Sequence, residues 1–150
     1  MPNSYTCLRY HLIFGTNDRK PQIDPSIRNR LHEYLGGIIR DEKGRLIAAG
    51  GMPDHVHLLV STHPQTALSD LLRQVKASSS RWIHQTFAHL AGFAWQDGYG
   101  AFTVSHSNLT AVERYIAEQE LHHRRVSFQE EFVEFLRRHE VAYDERYIWR

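Results

Sequence analysis

Met52-Pro53-Asp54-His55-Val56-His57-Leu58-Leu59-Val60-Ser61 is the stretch around which the rest of the chain can be ordered. Gly50 to Asp54 is turn chemistry, and the apolar, β-branched run that follows reads as a strand over residues 55–61. Residues 45–49 read as a second strand, and the turn between the two makes a hairpin. Side chains alternate faces along a strand, so His55 and His57 project together from one face while Val56 points to the other.

Upstream, residues 5–16 are aromatic and β-branched and end in Gly15-Thr16-Asn17-Asp18, a strand running into a loop that carries Arg19 and Lys20. Pro25 opens a helix to about Asp41, with Ile27, Leu31, Tyr34, Leu35 and Ile38 at helical spacing. Downstream, residues 67–90 read as a long helix whose buried stripe is Leu68, Leu71, Leu72, Val75, Trp82 and Ile83. Ser69, Arg73, Lys76 and Ser80 form a separate stripe on it. A fourth strand follows over residues 98–105. Thr110 with Glu113 fits a capping box for a helix over residues 111–123, and a last helix covers residues 128–139 before a tail with Tyr143, Tyr147 and Trp149. The order strand, helix, strand, strand, helix, strand predicts an α+β, ferredoxin-like βαββαβ sandwich, an antiparallel sheet with two packed helices, extended by C-terminal helices.

The 150 residues, 41% hydrophobic and 23% charged, suit one domain with a real core. The longest apolar runs fall far short of the roughly 20 residues needed to span a bilayer, and no charged, apolar leader opens the chain, so a soluble cytoplasmic protein without membrane contact is expected. One cysteine, Cys7, excludes an internal disulfide and a multi-cysteine zinc site, and reads as a small buried hydrophobe. The net charge of +1 is unevenly spread. Residues 1–96 hold 11 Lys and Arg against 7 Asp and Glu, a balance of +4, whereas residues 97–150 stand at −3. A polyanion should meet the first two thirds of the chain.

Eleven histidines stand out. Imidazoles one pleat apart, as in His55 and His57, can share a divalent metal ion if a third ligand approaches from elsewhere, although such pairs are also ordinary hydrogen-bonded histidines. Tyr115 and Gln119 are four apart and share one helical face, which His122 extends. In the plain reading they are a half-buried tyrosine, a solvated glutamine and histidines suited to a helix C-terminus. In the sharper one Tyr115 is a nucleophile and Gln119 a neutral oxygen ligand. A tyrosine hydroxyl can attack phosphorus and store the phosphodiester energy covalently, which needs no nucleotide, and no GxxxxGK[ST] loop is present.

Tyr10-His11-Leu12-Ile13-Phe14, Met52 to Leu59, Trp95-Gln96-Asp97-Gly98-Tyr99-Gly100-Ala101-Phe102 and Tyr115-Ile116-Ala117-Glu118-Gln119, followed by His122-His123, resemble the single-tyrosine (Y1) transposases of the IS200/IS605 group, members of the HUH endonucleases. The resemblance covers essentially all of residues 1–150 as a single domain. It implies cleavage and rejoining of single-stranded DNA at hairpin-bearing element ends through a 5′-phosphotyrosine. By position, Tyr115 would be the nucleophile and His55, His57 and Gln119 would hold Mg²⁺ or Mn²⁺. It also implies a homodimer in which the tyrosine helix can complete the partner's histidine pair. Residues 15–20 are less basic than the family pattern, which bears on DNA contacts there.

Arg73, Lys76 and Ser80, with Arg19 and Lys20, are the expected DNA contacts, against a plain reading as a solvated face. Trp82 is expected in the core, Trp95, Tyr99 and Phe102 packed on the sheet, and His11 as a satisfied structural histidine. Two other functions compete with the transesterase. One is a domesticated, non-mobile relative that binds DNA hairpins without catalysis; the other is a hydrolase whose histidine pair activates water while Tyr115 is only structural.

Overall fold

The computed structural model describes residues 4–149. Its elements are β1 (Arg9–Gly15), α1 (Pro25–Asp41), β2 (Arg45–Met52), β3 (His55–Ser61), α2 (Leu68–Thr86), β4 (Gly100–Thr103), α3 (Leu109–Ala117), α4 (Gln119–His122) and α5 (Phe128–Arg138). The four strands form one sheet in the order β2-β3-β1-β4, antiparallel at every pairing. This is the α+β arrangement that the element order predicts, with β1 and β3 at its centre.

Alternation along β1 and β3 sorts the core. Leu12 and Phe14, with Val56, Leu58 and Val60, pack against Leu31, Leu35 and Ile39 of α1 and Leu72 and Val75 of α2. On the opposite face Ile13 meets Phe102, Phe128, Phe132 and Leu136, while Leu59 meets Val104 and Ile116. Helices therefore cover both faces, which is why both central strands read as nearly continuous apolar runs. Asp24 caps α1 by accepting a 2.8 Å hydrogen bond from the Ser26 amide, with Pro25 in the first turn. Trp82 is half-buried and stacks on Tyr34 at 4.6 Å, where α1 and α2 meet.

Several boundaries differ from the sequence reading for identifiable reasons. β1 begins at Arg9, opposite Ser61, where β3 ends, so residues 5–7 have no strand to pair with. β2 continues through Gly50 and Gly51, which pair with His57 and Val56, leaving the turn to Pro53 and Asp54. α2 stops at Thr86 and gives way to a 3-10 turn, and β4 spans only Gly100–Thr103. The helix expected over 111–123 starts at Leu109 and breaks at Glu118 (φ −99°, ψ 24°); the capping box is replaced by Asn108, which makes no side-chain cap bond. Cys7 is exposed, where a buried position was expected, because it precedes the paired part of β1; it accepts from Arg9 Nη1 at 3.0 Å.

Two glycines let the C-terminal helices lie close to the sheet. A Cβ at Gly50 would collide with the Ile116 carbonyl of α3, and one at Gly15 would stand 2.9 Å from the Phe128 ring of α5. Gly37, within α1, has nothing within 4 Å of its would-be Cβ. Gly50→Ala is therefore expected to destabilise the protein by about 1–3 kcal/mol, and Gly37→Ala to stabilise it by roughly 0.5–1 kcal/mol, as read from urea unfolding. Equal effects of the two substitutions would contradict the close approach of α3 to β2.

Candidate active site

β3 turns His55 and His57 away from α1 and α2, and both are fully buried beneath the C-terminal helices. Asp54 Oδ1 accepts from His55 Nδ1 at 2.7 Å, which leaves His55 Nε2 pointing at Gln119 Oε1, 3.2 Å away. His57 Nδ1 is 2.7 Å from Nε2 of His11, a buried neighbour on β1, and His57 Nε2 is 2.8 Å from Glu131 Oε1. His123 Nδ1 donates to the Val126 carbonyl at 2.6 Å, so its Nε2 faces Gln119 Oε1 at 2.9 Å and Glu131 Oε1 at 3.3 Å. The Tyr115 hydroxyl donates to Glu131 Oε2 and lies 3.1 Å from His122 Nε2.

The expected quartet of His55, His57, Tyr115 and Gln119 is thus brought to one place. The helix break helps to do it. At Glu118 the chain turns into α4, and the Gln119 side-chain amide donates to the Tyr115 carbonyl at 3.4 Å while its oxygen reaches inward. His11, expected to be structural, has its partner in His57 itself.

Glu131 and His123 are the site residues that sequence reasoning missed. Glu131 is 3% exposed, on the same α5 stripe as Phe128 and Phe132. An acid on the apolar stripe of a helix was the available signal, because such a group stays buried only with partners. Among the described residues, His55, His57, His123 and Glu131 place one donor atom each within 4.8 Å of one another. His55 and His123 have their Nδ1 hydrogens engaged by oxygens, so their Nε2 atoms face an amide and a carboxylate oxygen that are themselves acceptors. Converging lone pairs of this kind are satisfied by a proton or a cation, and the donor set of imidazole and oxygen suits a divalent metal.

Burial holds the His57 imidazole down to about 4, despite the opposing pull of Glu131, and with His57 beside it burial holds His11 down to about 3. Burial alone would raise the Glu131 carboxyl, but hydrogen bonds from His123 and His57, the His57 charge and the Tyr115 hydroxyl hold it well below the usual range. Tyr115 is pushed well above its ordinary value by burial and by accepting neighbour Glu131.

The expected DNA contacts lie elsewhere. Ser69, Arg73, Lys76 and Ser80 line a groove of 480 Å³ with Trp95 and Tyr99. Arg73 is exposed and pairs with Asp70 at 2.7 Å. Lys76 spends its donors on the carbonyls of Gln96 (2.8 Å), Asp97 (3.1 Å) and Gly98, and burial lowers it to about 8. Arg19 sits over the Trp149 ring and Lys20 is exposed. Trp95 and Phe102 are buried against the sheet as expected, while Tyr99 is partly open at the groove.

Residues 4–119 match the family of IS200-like transposases, and the chain belongs to that family. It is 31% identical over 117 residues to the ISDra2 transposase TnpA of Deinococcus radiodurans, covering 75% of this chain and 84% of that one. It is 24% identical to the transposase of insertion sequence IS200 from Salmonella typhimurium, over 74% of this chain and 76% of the relative. A crystal structure from Deinococcus radiodurans R1 described as a transposase superposes with a TM-score of 0.65 at 30% identity, covering 78% of this chain and 94% of that one. A REP-associated tyrosine transposase bound to a REP hairpin shares the fold, with a TM-score of 0.62 at 16% identity over 83% of this chain and 73% of that one.

The buried histidines set the response of the metal-free protein to acid. With His57 and His11 depressed on folding, the unfolded chain binds protons first as pH falls below 6.5, so stability present above that value drains away towards about pH 4 and about pH 3. Glu131, also depressed, adds a loss below its unfolded value. His123 is raised by Glu131 and acts in the opposite sense, losing its contribution as pH rises through its folded value. His32, lowered to about 4 by burial and by Arg28, adds to the same loss as His57 and His11. Three depressed histidines against one raised give a melting temperature, followed by circular dichroism in chelator, that falls from pH 7 to pH 4. A flat or rising trend would show that His11, His32 and His57 are not held neutral.

Proposed function

We propose that this protein is a single-domain, metal-dependent transposase that cleaves and rejoins single-stranded DNA at hairpin-bearing ends through a 5′-phosphotyrosine on Tyr115. The observation that carries this reading is the convergence of a tyrosine hydroxyl, two strand histidines and a glutamine side chain around one buried carboxylate, Glu131. Membership of the IS200-like family supports it from an independent side.

In this reading Tyr115 Oη attacks phosphorus, an O–P bond forms, and the bond to the 3′-oxygen breaks, the oxygen leaving with the electron pair and gaining a proton from solvent. Reversal by a 3′-hydroxyl rejoins strands without external energy. The proton shed by Tyr115 has two acceptors within reach, Glu131 Oε2 and His122 Nε2. His55, His57 and Gln119 would hold Mg²⁺ or Mn²⁺, which supplies charge stabilisation to the phosphate and the departing oxygen. Asp54 fixes the tautomer of His55, presenting Nε2 inward, as carboxylate partners of ligating histidines do.

Arg73, Lys76 and Ser80, lining the groove beside Trp95 and Tyr99, are assigned to the DNA strand, together with Arg19 and Lys20 on the loop after β1. Arg73 and Lys20 are exposed, whereas Lys76 is held by carbonyls. Within one chain Tyr115 meets its own histidine cluster. A homodimer that exchanges the tyrosine helices would repeat the same contacts on the partner's histidines. No helix among the described residues is long and apolar enough to cross a membrane, which fits action on DNA in the cytoplasm.

The test is a denaturing gel of purified protein with labelled single-stranded oligonucleotides drawn from hairpins flanking its coding region, with Mg²⁺ or Mn²⁺. A protein–DNA adduct is expected for the wild type and is expected to vanish in both Tyr115→Phe and His57→Ala. Hairpin binding with no adduct under any metal condition would make the protein a binding module. Cutting that survives in Tyr115→Phe would make it a water-activating hydrolase.

A further inference from the structure

Glu131 lies on α5, outside residues 4–119, the part matched to the family. Yet it is the most connected side chain of the site. Oε1 stands 2.8 Å from His57 Nε2, 3.3 Å from His123 Nε2 and 3.6 Å from His55 Nε2. Oε2 accepts from the Tyr115 hydroxyl, lies 3.3 Å from Gln119 Nε2 and is 3.3 Å from His122 Nε2. One carboxylate therefore touches both the histidine pair and the tyrosine.

The spacing fits coordination. Donors bound side by side on an octahedral ion with bonds of 2.0–2.1 Å stand about 2.9 Å apart, and His57–Glu131, His55–Gln119 and His55–Glu131 donor atoms stand 2.8, 3.2 and 3.6 Å apart. Charge supports the same assignment. Two imidazoles and an amide are all neutral, whereas a hard cation such as Mg²⁺ favours carboxylate oxygen.

We propose that Glu131 is the anionic ligand of this metal centre, bound through Oε1, while Oε2 keeps hold of the Tyr115 hydroxyl, so that α5 is one wall of the active centre. The proposal rests on the metal-dependent reading above. It makes α5, beyond the family's matched residues, a determinant of which ion is used. Loss of the carboxylate should weaken Mg²⁺ more than Mn²⁺, because the remaining imidazoles suit the transition metal better.

The experiment is a titration of the full chain with Mn²⁺, reading free ion by electron paramagnetic resonance, followed by displacement with Mg²⁺, for wild type, Glu131→Gln and His57→Ala. Glu131→Gln is expected to weaken Mn²⁺ by about tenfold or more, the scale at which even outer-sphere partners of a metal act, and to weaken Mg²⁺ further. If His57→Ala loses the ion but Glu131→Gln binds within twofold of wild type, Glu131 is only an ion-pair partner of the histidines and the proposal falls while the metal reading stands. If wild type binds no Mn²⁺, both fall. Hydrogen exchange of the wild type, with and without Mn²⁺, removes dependence on the variant's folding. Slower exchange in residues 128–138 on adding the ion is expected; slowing confined to residues 55–61 and 119–123 would overturn the assignment.

Discussion

Two imidazoles, an amide and a carboxylate are packed between a sheet and three helices with almost no exposure, and none of them could stay there alone. A buried polar group left without a partner costs about 1–3 kcal/mol, more when charged. Each of these has its partners only because the others are present: Glu131 needs His57, His123 and Tyr115, and Gln119 Oε1 sits between His55 and His123. Removing one member strands the rest. The placement of α3, α4 and α5 on the sheet and the assembly of the site are therefore one event.

The apolar part of the fold makes room for that cluster. β1 and β3 spend one face entirely on the α1 and α2 core, which anchors the sheet independently of the site. The other face is divided between two smaller clusters, around Phe132 and around Ile116, with the polar residues between them. Gly50 and Gly15 remove side chains where α3 and α5 approach, so the helices come close enough for Gln119 and Glu131 to reach the histidines. The sandwich itself hosts many functions; the chemistry comes from what the helices carry onto its second face.

What could be read from the sequence follows from local periodicity. His55 and His57 were visible as a pair because the strand period is two, and Tyr115 with Gln119 because the helical period brings i and i+4 together. That relation survived the break at Glu118, since Gln119 bonds back to the Tyr115 carbonyl. Glu131 shows in the sequence only as an acid on the apolar stripe of α5; its partners do not, because nothing local links it to a strand 74 residues earlier. Cys7 was misplaced for a related reason: its apolar neighbours resemble a strand, but β3 ends before it could pair.

The element order and the placing of His55 with His57 and of Tyr115 with Gln119 on shared faces were determined by sequence alone, because each is written in local periodicities of two to four residues. Only the tertiary structure decided which distant groups complete them. Lys76 shows this outside the site: its position on a polar stripe is a matter of sequence, but its use on the carbonyls of residues 96–98 depends on where that loop comes to rest. Glu131 shows it within the site. Its burial and partners arise from α5 folding back over the sheet, a long-range contact whose energy is shared among groups far apart in the chain and so leaves no periodic trace.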